Sequence, residues 1–210
     1  MPDFPSAAVF KNIRTPAAVA ADGNSAGVDV VDYAGEVLVH LSSLNTAGTN
    51  PTLAVKLQHA GDGDIVTSVT PGSNTGNGTF TQVYGGPDTV AENITITFSS
   101  ASAFAVSGSV TGAMAAGTVG TLYSTPQVEF MVTAGSAAFI NGDTCVIVTT
   151  VRTWADVDGG AFTGLTTLGA QQGLAVNIDK LGRWLRLNFD IGGTAGPSYV
   201  IGAALYGEKS

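Results

Sequence analysis

Leu53-Ala-Val-Lys-Leu-Gln-His-Ala-Gly-Asp-Gly-Asp64 and Thr153-Trp-Ala-Asp-Val-Asp-Gly-Gly-Ala-Phe-Thr163 decide how this chain is organised. The first opens as a period-two strand, with Leu53, Val55 and Leu57 on one face and Ala54 and Lys56 on the other, and closes in residues suited to a tight connection. The second reads as the strand that should follow. Between them lies a β-rich stretch of different composition, so the spacing predicts one β module interrupted by another. The expected organisation is an N-terminal arm over 1–27, a discontinuous β-sandwich over 28–72 and 151–210, and an inserted β domain over 73–150.

Composition supports all-β throughout. Of 210 residues, 44% are hydrophobic, enough for a core without metals or cross-links, while only 11% are charged and 28 are glycine, a profile of short strands and tight turns. Outside the interruption, strands are predicted over 28–33, 36–41, 53–57, 174–179, 183–191 and 199–206, with a turn-rich loop over 45–51 and a hairpin-like pair around Gly159-Gly160. Inside it, strands are predicted over 79–84, 92–98, 103–110, 127–133 and 143–150. Ile94, Ile96 and Phe98 share one face there, and Thr95 and Thr97 the other. The run Gly72–Gly78 reads as a flexible boundary. Residues 1–27, rich in Ala and Pro with irregularly spaced apolar residues, read as an arm that orders against something else, with one helical turn at most over Ala17–Ala21.

Charge and cysteine content narrow the function classes. Sixteen acidic against eight basic residues give a net charge of −8, which repels a phosphate backbone and argues against direct nucleic-acid binding. Cys145 is the only cysteine, which excludes an internal disulfide and a multi-cysteine metal site; within Thr144–Thr149 it reads as a small buried hydrophobe. Lys11 and Arg14 interrupt the place a signal-peptide apolar region would occupy, and no apolar run reaches membrane-spanning length. Cytoplasmic synthesis without a classical export signal and no membrane partner are expected.

Catalytic patterns are sparse. His40 and His59 are the only histidines, and both read as structural residues of strands. Asp62/Asp64 and Asp156/Asp158 sit beside glycines and read as turn chemistry before a metal or acid–base pair. Gly72–Gly78 contains no lysine and precedes a strand, so it fails as a phosphate loop. No enzyme activity, cofactor or metal is expected. The residues singled out for contact with a capsid or a second subunit are Phe4, Phe10, Lys11 and Arg14 in the arm, and Arg183, Trp184 and Arg186 in the basic strand, where Trp184 can pack beneath an arginine stem.

The segments Asn50–His59, Trp154–Phe162, Asp179–Arg186 and Gly192–Ile201, in that order, resemble small virion structural proteins of tailed bacteriophages. The stretch from Gly76-Asn-Gly-Thr through Val119-Gly-Thr-Leu-Tyr123 to Phe139-Ile-Asn-Gly-Asp143 is similar to a second module of phage head-decoration proteins. The resemblance implies a jelly-roll-like sandwich carried on the outer capsid surface of a virion, with the major capsid protein as partner. It also implies a homo-oligomer, with a trimer one form that fits, since decoration proteins of this kind often sit at threefold positions. The alternative from another class is a receptor- or glycan-binding β-sandwich of a head fibre or tail.

Overall fold

The computed structural model describes residues 8–61, 65–163, 165 and 169–209. The chain divides into an outer unit, Met1–Gly61 with Trp154–Ser210, and an inserted unit, Asp62–Thr153. The fold is all-β. The outer unit contains β1 (Ala8–Val19), β2 (Gly23–Asn24), β3 (Val28–Asp29) and β4 (Tyr33–Ala60). The inserted unit follows with β5 (Val66–Pro71), β6 (Thr79–Gly85), β7 (Glu92–Phe98), β8 (Ala103–Gly108), β9 (Gly112–Ala113), β10 (Gly117–Thr118), β11 (Leu122–Ser124), β12 (Val128–Thr133) and β13 (Thr144–Thr149). The outer unit resumes with β14 (Ala155–Phe162), β15 (Gly169–Asn177), a 3₁₀ turn over Ile178–Lys180, and β16 (Trp184–Lys209).

The outer unit is a nest of antiparallel pairings wrapped on itself. β1 pairs with the end of β16, β2 and β3 with its beginning, β15 with residues 36–44 of β4, and β14 with residues 55–59. β4 and β16 pair with each other along their length, from Trp184↔Ala60 to Lys209↔Tyr33. Two layers result. In the first, β15, residues 36–44, residues 199–209 and β1 lie side by side; in the second, β14, residues 53–60, residues 184–192 and β2/β3 do. This is jelly-roll order, and in the chain the inserted unit connects the end of β4 to the start of β14, a strand-to-strand connection where an insertion leaves the ladder unbroken.

Residues 45–51 are a corner, not the expected loop. The ladder continues through them opposite 192–198, with register shifts on β16. Both strands pass here from one layer to the other, and glycine permits it. Gly48 has φ +107° and a Cβ there would lie 2.6 Å from Pro197 Cα, while Gly193 has φ +124° and its Cβ would lie 2.9 Å from Pro51 Cα. The two layers share one core, in which Val37, Val39 and Leu41 of the first join Leu57, Leu185 and Leu187 of the second.

The expected arm is corrected over its described part. β1 is an edge strand of the first layer, and Ile13 is buried in the core. Register shifts between Asn12 and Arg14 and between Arg14 and Ala17 break the two-residue alternation, and Pro16 sits at the second, where an edge tolerates a missing N–H. The hairpin expected around Gly159-Gly160 is likewise a bulge within β14, which pairs through Asp156↔Gln58 and then Ala161↔Lys56.

The inserted unit pairs β10, β8, β7, β13 and β5 in one sheet and β11, β12 and β6 in another. Their inward faces meet in an aromatic core in which Phe98 stacks on Phe139 at 3.7 Å and contacts Phe104 and Phe80 edge-on. Its boundary differs from the expected 73–150. β5 pairs with β13, from Val66↔Thr149 to Pro71↔Cys145, so it belongs to the inserted unit. The Gly72–Gly78 run is not a linker: Gly72 N–H donates to Thr144 O at 2.8 Å, and Gly76 and Gly78 leave room for Phe139.

Two buried carboxylates hold turns of the inserted unit. Asp143 accepts the backbone N–H groups of Thr75, Gly76 and Ile140 at 3.0, 2.9 and 3.1 Å. Glu92 accepts those of Val110 and Thr111 at 3.0 Å and the Thr111 hydroxyl at 2.6 Å. Burial pushes both carboxyls up, but these hydrogen bonds outweigh it and hold each below its usual range.

Candidate interaction surfaces

The two outward faces of the outer unit differ in chemistry. On the second layer, polar side chains form a cross-strand ladder. Lys56 Nζ donates to Asp156 Oδ2 at 2.7 Å, Gln58 Nε2 donates to Asp156 Oδ1 at 2.9 Å, and Arg186 Nε and an Nη donate to Gln58 Oε1 at 2.9 and 2.8 Å. The Arg186 guanidinium lies 4.2 Å from the Trp154 ring centroid, a cation–π contact that closes the ladder. The Lys56 and Gln58 hydrogen bonds hold the Asp156 carboxyl below its usual range. Next along β16, a concavity of about 260 Å³ is lined by Ala54, Lys56, Phe162, Asn188 and Asp190.

At the rim of that concavity two carboxyls meet. A hydrogen bond from the protonated Asp190 carboxyl to Asp22, then the Asp22 charge, raises the pKa of Asp190, and Ile191 N–H donates to Asp22 Oδ1 at 2.7 Å. A carboxyl whose folded pKa is raised favours the folded state at low pH and disfavours it once pH rises through the folded value. Asp190→Asn is therefore expected to raise the melting temperature at pH 7 and to give no gain near pH 3. A loss at pH 7 in thermal unfolding contradicts the pairing.

The outward face of the first layer has the opposite character. Across it run Ala175, Leu38, Tyr206 and Phe10, then Gly173, His40, Ala204 and Asn12, then Gln171, Ser42 and Gly202, then Leu44, Val200 and Ala18. Among the described residues of these rows none is charged. Phe10 and Tyr206 pair across strands with ring centroids 5.4 Å apart. Phe10, Leu44 and Tyr206 are 53%, 57% and 36% exposed. Beside the aromatic pair, a concavity of about 140 Å³ is lined by Asn12, Arg14, His40, Ser42, Gly202 and Ala204.

The structure distributes the predicted contact residues unevenly. Phe4 lies outside the described residues. Phe10 is exposed on the uncharged face. Lys11 and Arg183 converge on Asp29: Lys11 Nζ donates to its carbonyl at 2.6 Å, and Arg183 Nε and an Nη donate to its Oδ2 at 2.9 and 2.7 Å. Arg14 donates to Ile201 O at 3.2 Å, with its guanidinium 5.3 Å from the Phe189 ring. Trp184 is buried, with the Arg183 guanidinium 5.0 Å from its ring. The cluster Arg183, Trp184 and Arg186 is thus spent within the outer unit, because each cation finds an acceptor or an indole on a neighbouring strand. Leu44 and Tyr206, exposed on the same face as Phe10, were not singled out. The signal was legible in the alternate positions of 38–44 and 200–206, which carry no charge.

Of the groups weighed for chemistry, His59, Asp156 and Cys145 are engaged or buried within the fold. His59 Nδ1 accepts the Gly182 N–H at 3.0 Å, and burial pushes the Cys145 thiol up to about 11. Asp62 and Asp64 lie outside the described residues, and Asp156 is engaged by Lys56 and Gln58, with no hydrogen bond to Asp158 among those described. No helix of the described residues is long and apolar enough to cross a membrane.

No family model matches the chain, and no curated protein matches it. Among solved structures, Xanthomonas campestris FlgL aligns in two crystal forms, space groups C2 and H3, at a TM-score of 0.35 with 18% and 19% identity. The alignments cover 49% of this chain and 32% and 33% of those chains, so this chain spans about a third of their length. At that TM-score they carry no argument about function.

Proposed function

We propose that this chain is a non-enzymatic structural protein of a tailed-bacteriophage virion, a head-decoration protein that binds the major capsid protein on the outside of the shell. What supports the reading is the ordered set of segments that resemble such proteins, falling on a jelly roll with a second β unit inserted in the chain between the two strands of its innermost pair. The observation that carries it is the commitment of reactive side chains to the fold. Glu92, Asp143, His59, Arg183 and Arg186 each hold backbone or side-chain partners in place, which suits a protein that acts through its surface. Binding to assembled shell in preference to free subunits shifts assembly by mass action, and the symmetry of the shell multiplies each contact. The test is co-sedimentation of the purified chain with mature heads lacking it. Saturable binding at a copy number set by shell symmetry, with heads more resistant to heat, is expected; absence of binding to heads rejects the reading.

A second reading, a glycan-binding module, is favoured by one feature, the planar polar ladder with Trp154 beside the concavity at Asn188 and Asp190. Saturable binding on a glycan array, abolished by Asn188→Ala, distinguishes it.

A further inference from the structure

We propose that the uncharged outward face of the first layer is a two-fold contact between two copies of this chain. The second layer is the internal reference. In an antiparallel sandwich an outward face is ordinarily solvated and polar, and the second layer follows this with Lys56, Asp156, Arg186 and Asp190. The first layer departs from it: its outward rows from Leu38 to Leu44 carry no charge, and exposed apolar side chains stand at both ends, Phe10 and Tyr206 at one and Leu44 at the other, as on surfaces that bind partners.

Charge and shape select a second copy as the occupant. Copies that each carry a net charge of −8 repel one another, so self-association requires a patch where no like charges are brought together. The rows from Leu38 to Leu44 supply it. Glu36 and Glu208 lie beyond one end of the patch, and Arg14, at the strand edge, turns its guanidinium toward Phe189 of the other layer. An isologous contact also needs projection and recess on the same surface, so that each copy fills the other. Phe10 and Tyr206 form the projection, and the 140 Å³ concavity at Asn12, His40, Ser42 and Gly202, with the Arg14 side chain at its edge, is the recess, where an aromatic ring meets a cation and no carboxylate. Four strand segments at ~4.8 Å spacing over seven residues at ~3.3 Å make a patch of roughly 450 Å² per copy. A pair covers on the order of 900 Å², the low end for a specific contact, which implies a reversible dimer.

This contact does not depend on the capsid reading. It is tested by sedimentation equilibrium of the full chain over a concentration series. The wild type is expected to fit a reversible monomer–dimer equilibrium. Leu44→Asp and Tyr206→Asp, both at exposed positions, are expected to raise the dissociation constant about tenfold or more by burying a carboxylate in a contact between two acidic copies. Val31→Asp is the control: this residue of the same unit is 60% exposed but lies off the face, so its dissociation constant should match the wild type. Circular dichroism and a retained melting temperature verify folding of each variant. A wild type monomeric at all concentrations, a trimer, or a dimer indifferent to both aspartates overturns the proposal.

Discussion

Phe98→Ala is expected to cost the inserted unit about 4 kcal/mol, the usual range for emptying a buried aromatic site. Phe98 is fully buried, and its ring is the hub of the aromatic core, stacked on Phe139 and edge-on to Phe104 and Phe80. These neighbours are anchored on separate elements, so they cannot collapse together into the space left behind. The loss is a large fraction of the roughly 5–15 kcal/mol that stabilises an ordinary domain. The outer unit has its own core, and both tryptophans, Trp154 and Trp184, lie in the outer unit. Calorimetry should show one transition displaced downward by many degrees, and tryptophan fluorescence should show the outer unit unfolding where it does in the wild type. A loss under about 1 kcal/mol means that Phe98 does not organise this core.

The second large effect is expected at Glu92. Glu92→Gln preserves shape but replaces an acceptor-only carboxylate, which receives the Val110 and Thr111 N–H groups and the Thr111 hydroxyl, by an amide that presents a donor to donors. At pH 7 the cost is about 2–3 kcal/mol, since a buried N–H loses a charged acceptor. The sign with pH follows from the lowered carboxyl. A group whose folded pKa is depressed contributes stability that is fully present above its unfolded value of 4.5 and is lost as pH falls through the folded value. The wild type therefore loses stability below about pH 4.5 and the variant loses less. Urea unfolding at pH 7 and pH 3 should show the gap narrowing at the lower pH. A gap equal at both values would place the effect in packing instead of ionisation.

The elements that could be read from sequence were those with intact alternation. Glu92–Phe98 was predicted with the bounds that β7 has, because its apolar residues face one core and its threonines the other side. β1 was hidden because two register shifts scramble the alternation, so a strand whose Ile13 reaches the core looked like an arm. Gly72–Gly78 misled for a different reason. Glycine signals both chain freedom and lack of bulk, and here it makes room for Phe139. The basic strand looked available for a partner because pairing across strands is invisible along the chain: Asp29 and Gln58 lie far from Arg183 and Arg186 in sequence.

By itself the amino-acid order determined an all-β chain, most of its strands, and the fact of an interruption, because composition and two-residue periodicity are local properties. Tertiary structure alone decided that β4 and β16 each serve two layers, that their shared corner is a turn of the sheet, and that one outward face is a charged ladder while the rows from Leu38 to Leu44 on the other carry no charge. Those outcomes depend on which distant residues become neighbours, and register across strands sets that.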